Sequence, residues 1–280
     1  MSYPSFFSII ENYQAILLDS YGVVKNYNGL IPNVQQTIDY IRNSGKILRI
    51  LTNDASRSPE QQVQRFASQG LKLDLSEIVT SGMMAQMFLT EKVKKGKVAY
   101  LGTENAAQYI SAANLEPIPV GNIDFEDIEK ISAMIFLDDE GFDWNTDINK
   151  TVNLLRKKSI PVLVANSDKL YPVSKSDVSI ATGGIARLVE LILGRKFIRF
   201  GKPDTQMFNY AFEQINLVGH FKKSDILMVG DTLNTDILGG NKFGVTTALV
   251  LTGNTSAQSV AMKINTTGII PDYVCRSIVE

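Results

Sequence analysis

The chain has 280 residues, with 28 basic and 29 acidic side chains, a formal net charge of −1, one histidine and one cysteine. That balance supplies no global field for gripping a nucleic-acid backbone, and the lone Cys275 excludes a disulfide framework or a thiolate metal cluster. The lone His220 excludes zinc or iron centres built on several histidines of one chain, which leaves the chemistry to carboxylates, hydroxyls and lysines.

Residues 1–14 lack the positive n-region, apolar run and small-residue cleavage site of an export signal. No window approaches the run of about 18 apolar residues that a membrane span needs. The expectation is a cytoplasmic protein that engages neither membrane nor nucleic acid.

Short apolar runs alternate with helical periodicity, the pattern of a parallel sheet with crossover helices. Residues 15–18 read as a strand buried on both faces and ending at Asp19. Asn33 is placed to cap a helix whose apolar face is Val34, Ile38 and Ile41, with Gly45 past its end. A strand over 47–51 ends in Thr52-Asn53, and Ser58-Pro59 opens a helix carrying Val63, Phe66 and Ala67, stopped by Gly70.

Strands over 98–101, 133–137 and 161–165, with helical stretches near 103–113 and 146–158, read as a second, smaller α/β unit. The first rhythm then resumes. A strand over 196–200 leads into the turn Gly201-Lys202-Pro203 and a helix with Met207, Phe208, Ala211 and Ile215 on one face. A strand over 226–229 ends at Gly230-Asp231, a helix covers 236–241, and a last strand covers 246–251. The expected domains are a core of 1–81 and 182–280 and an insert of 82–181.

In open parallel sheets, ligands bind outside the carboxyl ends of the strands. Those ends deliver Asp19-Ser20-Tyr21-Gly22, Thr52-Asn53-Asp54, Lys202, and Asp231 with Asp236. Carboxylates from separate strands suit one Mg²⁺, which prefers hard oxygen ligands. Lysine, hydroxyl and amide suit the oxygens of a phosphoryl group, and a strand-end aspartate in such company can attack phosphorus.

These four segments, in this order, resemble the haloacid dehalogenase (HAD) superfamily. The likeness is to its subfamily IIA-like branch of p-nitrophenyl phosphatases and sugar phosphatases, where a cap domain is inserted between the second and third motifs. The resemblance covers nearly the whole chain, and Asn166-Ser167-Asp168, Ala181-Thr182-Gly183-Gly184 and residues 249–253 also read like that branch. It implies a doubly wound, Rossmann-like parallel-sheet α/β core with a smaller α/β cap. It also implies a Mg²⁺-dependent phosphatase that works on a small phosphorylated metabolite (a sugar phosphate or nucleotide) through an aspartyl-phosphate.

By that resemblance Asp19 is nucleophile and metal ligand, and Thr52 holds phosphoryl oxygens with Asn53 beside it. Lys202 neutralises both nucleophile and phosphate, Asp231 ligates Mg²⁺, and Asp236 supports the metal site. Substrate choice is expected to lie in the cap, and a homodimer with cap contacts is one of the oligomeric states it allows.

The pattern breaks at Tyr21. Family phosphatases carry a second aspartate there, whose carboxyl protonates the leaving oxygen and then activates water, while its backbone carbonyl ligates Mg²⁺. The carbonyl function survives any side chain, so Tyr21 keeps a place at the metal. A phenol with an ordinary pKa of about 10 is a poor base for water near neutral pH, so turnover is expected to be slow. Asp54 is one candidate to supply the missing carboxylate. The alternatives are a weakened enzyme that binds a phosphorylated ligand for a regulatory purpose, and an enzyme like the 2-haloacid dehalogenases, which share the Asp-x-Tyr-Gly form.

Overall fold

The computed structural model describes residues 3–174 and 177–280. Its strands are β1 (Ala15–Asp19), β2 (Ile47–Thr52), β3 (Ile78–Thr80), β4 (Lys97–Leu101), β5 (Glu116–Pro119), β6 (Ile131–Phe136), β7 (Val162–Val164), β8 (Ile198–Arg199), β9 (Ile226–Gly230), β10 (Thr246–Val250) and β11 (Tyr273–Cys275). Two short antiparallel hairpins complete the set, Lys25–Asn26 with Gly29–Leu30 and Leu170–Pro172 with Val178–Ile180.

Two compact units result. The first comprises 1–52, 59–79 and 202–280, and the second 53–58 and 80–201. The first unit is built on the strand order β11-β10-β9-β1-β2-β3, with β1, β2, β9, β10 and β11 mutually parallel. The non-sequential order, with helices between the strands, is the doubly wound α/β class. Ala15, Ile16, Leu17 and Leu18 are all buried, as a strand covered on both faces requires. Each large aliphatic contributes about 1.5–3 kcal/mol on burial. A slip of β1 by one residue would forfeit that packing, so the position of Asp19 at its end is fixed by the core.

The second unit carries the parallel sheet β8-β7-β6-β4-β5 with its own apolar core, including Val164, Phe136, Leu154 and Phe197. It extends about twenty residues past the expected border at 181. Helix Thr182–Leu193 buries Ile185, Ala186 and Val189 in that core, and β8 pairs with β7. The strand expected over 196–200 is therefore real but belongs to the insert. An amphipathic helix fits either unit by pattern alone, which is why periodicity misplaced the border.

Smaller differences have local causes. Asn33 precedes helix Val34–Asn43 but takes the left-handed conformation at φ 67° and makes no side-chain cap bond, a backbone state asparagine tolerates better than most residues. The stretch near 103–113 is regular helix only over Gln108–Ser111. The helix expected over 236–241 is Leu238–Phe243, preceded by a π-turn at Leu233–Ile237 that contains Asp236. Among the described residues, no helix is long and apolar enough to cross a membrane.

Candidate active site

Strand register assembles the centre. Asp19 stands opposite Leu51 of β2, placing Thr52 one residue further along. On the other side Leu18 stands opposite Val229 of β9, so Gly230 and Asp231 follow beside and beyond Asp19. Lys202 lies just ahead of helix Thr205–Asn216, whose first turn is capped by the Asp204 side chain accepting from the Gln206 N–H at 3.0 Å.

The four charged groups meet. Lys202 Nζ donates to Asp19 Oδ1 at 2.5 Å and lies 2.7 Å from Asp236 Oδ1. The Ser20 N–H also donates to Asp19 Oδ1, at 2.7 Å. Both hydrogen bonds thus fall on one carboxylate oxygen and turn the other toward its surroundings. Asp231 accepts from Thr232 Oγ1 on Oδ1 at 2.8 Å and from the Asn254 N–H on Oδ2 at 2.5 Å. Asp236 Oδ2 accepts from the Thr232 N–H at 3.1 Å. One oxygen each from Asp19, Asp231 and Asp236 lies within 4.8 Å of the others.

The close approach depends on two glycines. A Cβ on Gly22, whose φ is +80°, would fall 2.2 Å from Asp231 Oδ2, and one on Gly253 would fall 1.9 Å from the same atom. Asp231 is therefore held between two backbone segments that tolerate no side chain. Thr252 Oγ1 donates to the Gly22 carbonyl at 2.5 Å, and Asn254 Nδ2 donates to Thr232 Oγ1 at 2.9 Å. The loop 252–254 after β10 thus tethers both the turn behind Asp19 and the carboxylate beside it.

Burial and mutual repulsion govern the charges. Burial first, and then Asp236, push the Asp19 carboxyl well above the usual carboxylate range, with Lys202 opposing. Burial and Asp236 push Asp231 up to about 7, against the hydrogen bonds from Asn254 and Thr232. Burial alone would depress the Lys202 ammonium, but Asp19 and Asp236 outweigh it and hold the pKa above its usual value. Three carboxylates against one ammonium leave a formal −2 in a buried site. An all-oxygen donor set with that residual charge fits a divalent hard cation such as Mg²⁺.

The other expected residues are placed as follows. Tyr21 occupies the turn directly after Asp19, closed by the Gly22 N–H donating to the Lys25 carbonyl at 2.6 Å. Thr52 is buried at the end of β2. Asn53 belongs to the second unit, where its Nδ2 donates to Asp168 Oδ1 at 3.0 Å and Ser167 Oγ at 3.3 Å. Asp54 also lies in that unit; its Oδ1 accepts from the Ser56 N–H at 2.9 Å and Ser56 Oγ at 2.5 Å, the bonds of a local turn. It adds to the charge that, after burial, raises Asp138 to about 6.

Sequence reasoning quoted Gly22 and residues 249–253 only as parts of their motifs, and gave no role to them, to Thr232 or to the Thr252-Gly253-Asn254 loop as a whole. The signal was available, since this loop follows a strand end of the same parallel sheet as the residues that were found.

A parallel α/β sheet that delivers a buried aspartate–lysine pair and, after another strand, two more carboxylates is the architecture of the class the motifs resemble. A family model described as haloacid dehalogenase-like hydrolase matches residues 16–116, and one described as HAD-hydrolase-like matches residues 199–280. The crystal structure of a possible sugar phosphatase of the HAD superfamily from Cytophaga hutchinsonii matches with a TM-score of 0.97 and 50% identity, covering 100% of this chain and 99% of that one. Chronophin of Bos taurus is 26% identical over 280 residues, which span 97% of this chain and 93% of the relative. An acid sugar phosphatase of Staphylococcus saprophyticus is 25% identical over 273 residues, 97% of each. The chain belongs to the haloacid dehalogenase-like hydrolases.

Proposed function

We propose that the protein hydrolyses phosphate monoesters of a small metabolite through an aspartyl-phosphate on Asp19, slowly, because Tyr21 stands where an acid–base carboxylate is needed. The observation that carries this reading is the convergence of the buried side chains of Asp19, Lys202, Asp231 and Asp236. The names of the relatives support it, since they include an acid sugar phosphatase and a phosphoglycolate phosphatase of Arabidopsis thaliana.

Asp19, Asp231 and the carbonyl of residue 21 would hold Mg²⁺, with Asp236 behind them. When bound, the ion supplies positive charge to phosphoryl oxygens and neutralises the carboxylates. Lys202 fixes Asp19 by one oxygen and leaves the other to attack phosphorus. Thr52, one residue beyond the position opposite Asp19, is placed to donate to a phosphoryl oxygen. Attack breaks the ester P–O bond, and the departing alkoxide needs a proton that the Tyr21 phenol can supply. In the second half-reaction water attacks the phosphorus of the aspartyl-phosphate and must lose a proton. No carboxylate follows Asp19 in the turn to take it, so this step limits turnover.

The test is phosphate release from a panel of small phosphomonoesters with added Mg²⁺. Native protein should turn over at least one, and Asp19→Asn none. Equal rates in the two proteins would refute the assignment of Asp19. A second reading draws on Tyr21 itself: a protein that binds a phosphorylated ligand without turning it over. The dehalogenase alternative gains no support here, because attack on carbon has no use for the divalent-cation geometry of Asp231 and Asp236.

A further inference from the structure

Residues 255–267 carry none of the motifs, yet they reach the buried carboxylates by two routes. Beyond the 252–254 loop the chain reverses, with the Ser259 and Val260 N–H groups donating to the Ser256 carbonyl at 3.1 and 3.0 Å. Helix Val260–Thr267 follows. Val260 and Ile264 stand four residues apart and so share one face of it, and both pack in an apolar cluster with Leu233, Ile237 and Leu249. Leu233 and Ile237 are the two ends of the π-turn that presents Asp236, and Leu249 lies in β10. The apolar face of the helix therefore rests on the segment that sets Asp236 in place.

The second route is polar. Lys263, next to Ile264 on this helix, sends its half-buried side chain back over nine residues, and Nζ donates to the Asn254 carbonyl at 2.5 Å. Asn254 is where the bonds to Asp231 converge. Its N–H donates to Asp231 Oδ2 at 2.5 Å, and its Nδ2 donates to Thr232 Oγ1, which itself donates to Asp231 Oδ1. Both oxygens of Asp231 thus depend on where Asn254 stands. Gly253 offers no side chain, and those of Thr252 and Asn254 donate to the Gly22 carbonyl and Thr232, so the lysine holds the loop from outside by its backbone. A lysine stem ordinarily keeps its rotamer freedom in water; this one is ordered around a single carbonyl.

We propose that Lys263 is a positioning residue for the divalent cation, an inference that rests on the reading of Asp231 and Asp236 as the residues that hold and support it. One helix then governs both carboxylates: apolar contact fixes the turn of Asp236, and the Lys263 bond fixes the loop that orients Asp231. The two carboxylates repel each other. An untethered loop would let Asp231 swing away in the metal-free protein, and the cation would have to gather the site as it binds. Preorganisation removes that cost. Lys263 acts through Asn254 and not on the reacting atoms. Partners outside the ligand shell typically affect metal affinity by about 10–100-fold, and with one residue interposed the lower figure applies.

The experiment makes two measurements on the full chain: Mg²⁺ binding by calorimetry near pH 8, and hydrogen exchange of the 252–254 amides in a chelator. Lys263→Met keeps the stem and loses the donor. It should raise the Mg²⁺ dissociation constant about tenfold and speed exchange at 252–254, while the amides of β1 stay as protected as in the native protein. Lys263→Arg can still donate and should recover most of both losses. Lys72→Met removes the same charge from an exposed position of the same unit and should match the native protein. Should Lys263→Met fail to fold, Lys263→Ala is read in its place. If the native chain binds Mg²⁺ and the folded variant binds it equally well, the proposal falls and the assignment of the carboxylates stands. If the native chain binds no Mg²⁺, both fall. A loss in Lys72→Met as large as in Lys263→Met also overturns the proposal, because net charge would then be the cause.

Discussion

Replacing Asp231 by asparagine should make the metal-free protein more tolerant of high pH while abolishing its response to Mg²⁺. Asp231 is 1% exposed, and burial together with Asp236 raises its carboxyl to about 7 from the ordinary 3.8. Below the unfolded value both states hold the proton, and the group contributes nothing. Between 3.8 and 7 the unfolded chain has lost its proton while the folded chain keeps it, so stability falls as pH rises. Above 7 the full penalty is present, about 4 kcal/mol for a shift of this size, of which roughly 2–3 kcal/mol develops between about pH 5 and pH 8. Asparagine is uncharged and can still accept from the Asn254 N–H while turning its amide toward Thr232 Oγ1, so it removes the pH-dependent penalty at little hydrogen-bond cost. Urea denaturation in a chelator at both pH values measures the difference. The stability of the native protein should drop by that amount relative to Asp231→Asn on going to the higher pH. Parallel pH profiles in the two proteins would refute the reasoning, because they would mean that no strained carboxylate is held at this position.

The same charges predict how a divalent cation acts. Mg²⁺ binds the deprotonated carboxylates, so its stabilisation of the native protein, read as a shift in the unfolding midpoint, should be larger near pH 8 than near pH 5, with protons released on binding in the acidic range; a pH-independent shift would contradict this. Gly253→Ala places a methyl 1.9 Å from Asp231 Oδ2, so the carboxylate or the 252–254 loop must move. The variant should lose Mg²⁺-induced stabilisation and at least about tenfold in kcat/KM, in keeping with the precision that metal sites demand; native-like Mg²⁺ titration by calorimetry would show that the close approach is dispensable.

Much of the fold was legible because its signals are local. The apolar run before Asp19 can only be a strand buried on both faces, and the capped starts and glycine stops around 58–70 are written in adjacent residues. Once the sheet was recognised as parallel, the strand-end rule singled out Asp19, Thr52, Lys202, Asp231 and Asp236; the register brings Asp19, Thr52 and Asp231 to neighbouring positions, while Lys202 comes from the turn before helix Thr205–Asn216 and Asp236 from the π-turn after β9. What escaped notice depends on distant partners. The side of the border on which helix Thr182–Leu193 falls is decided by which sheet buries Ile185 and Val189, and periodicity records only that some sheet does. The resemblance sets Asn53 beside Thr52, but no local signal in the sequence announces that its amide donates to Asp168, more than a hundred residues later. Gly22 and Gly253 carry no local signal that Asp231 packs against both of them.

The central claim is that this site is a phosphatase centre complete except for one carboxylate. The most direct measurement is the steady-state rate of phosphate release from an aryl phosphate, with Mg²⁺, by native and Tyr21→Asp protein side by side, together with the fraction of Asp19 carrying phosphate. Restoring a general acid–base group should raise kcat by about 10²–10⁴-fold and shrink the phosphoenzyme that accumulates in the native protein. A Tyr21→Asp variant that binds Mg²⁺ normally yet turns over no faster, with no phosphate on Asp19 in either protein, would contradict the account.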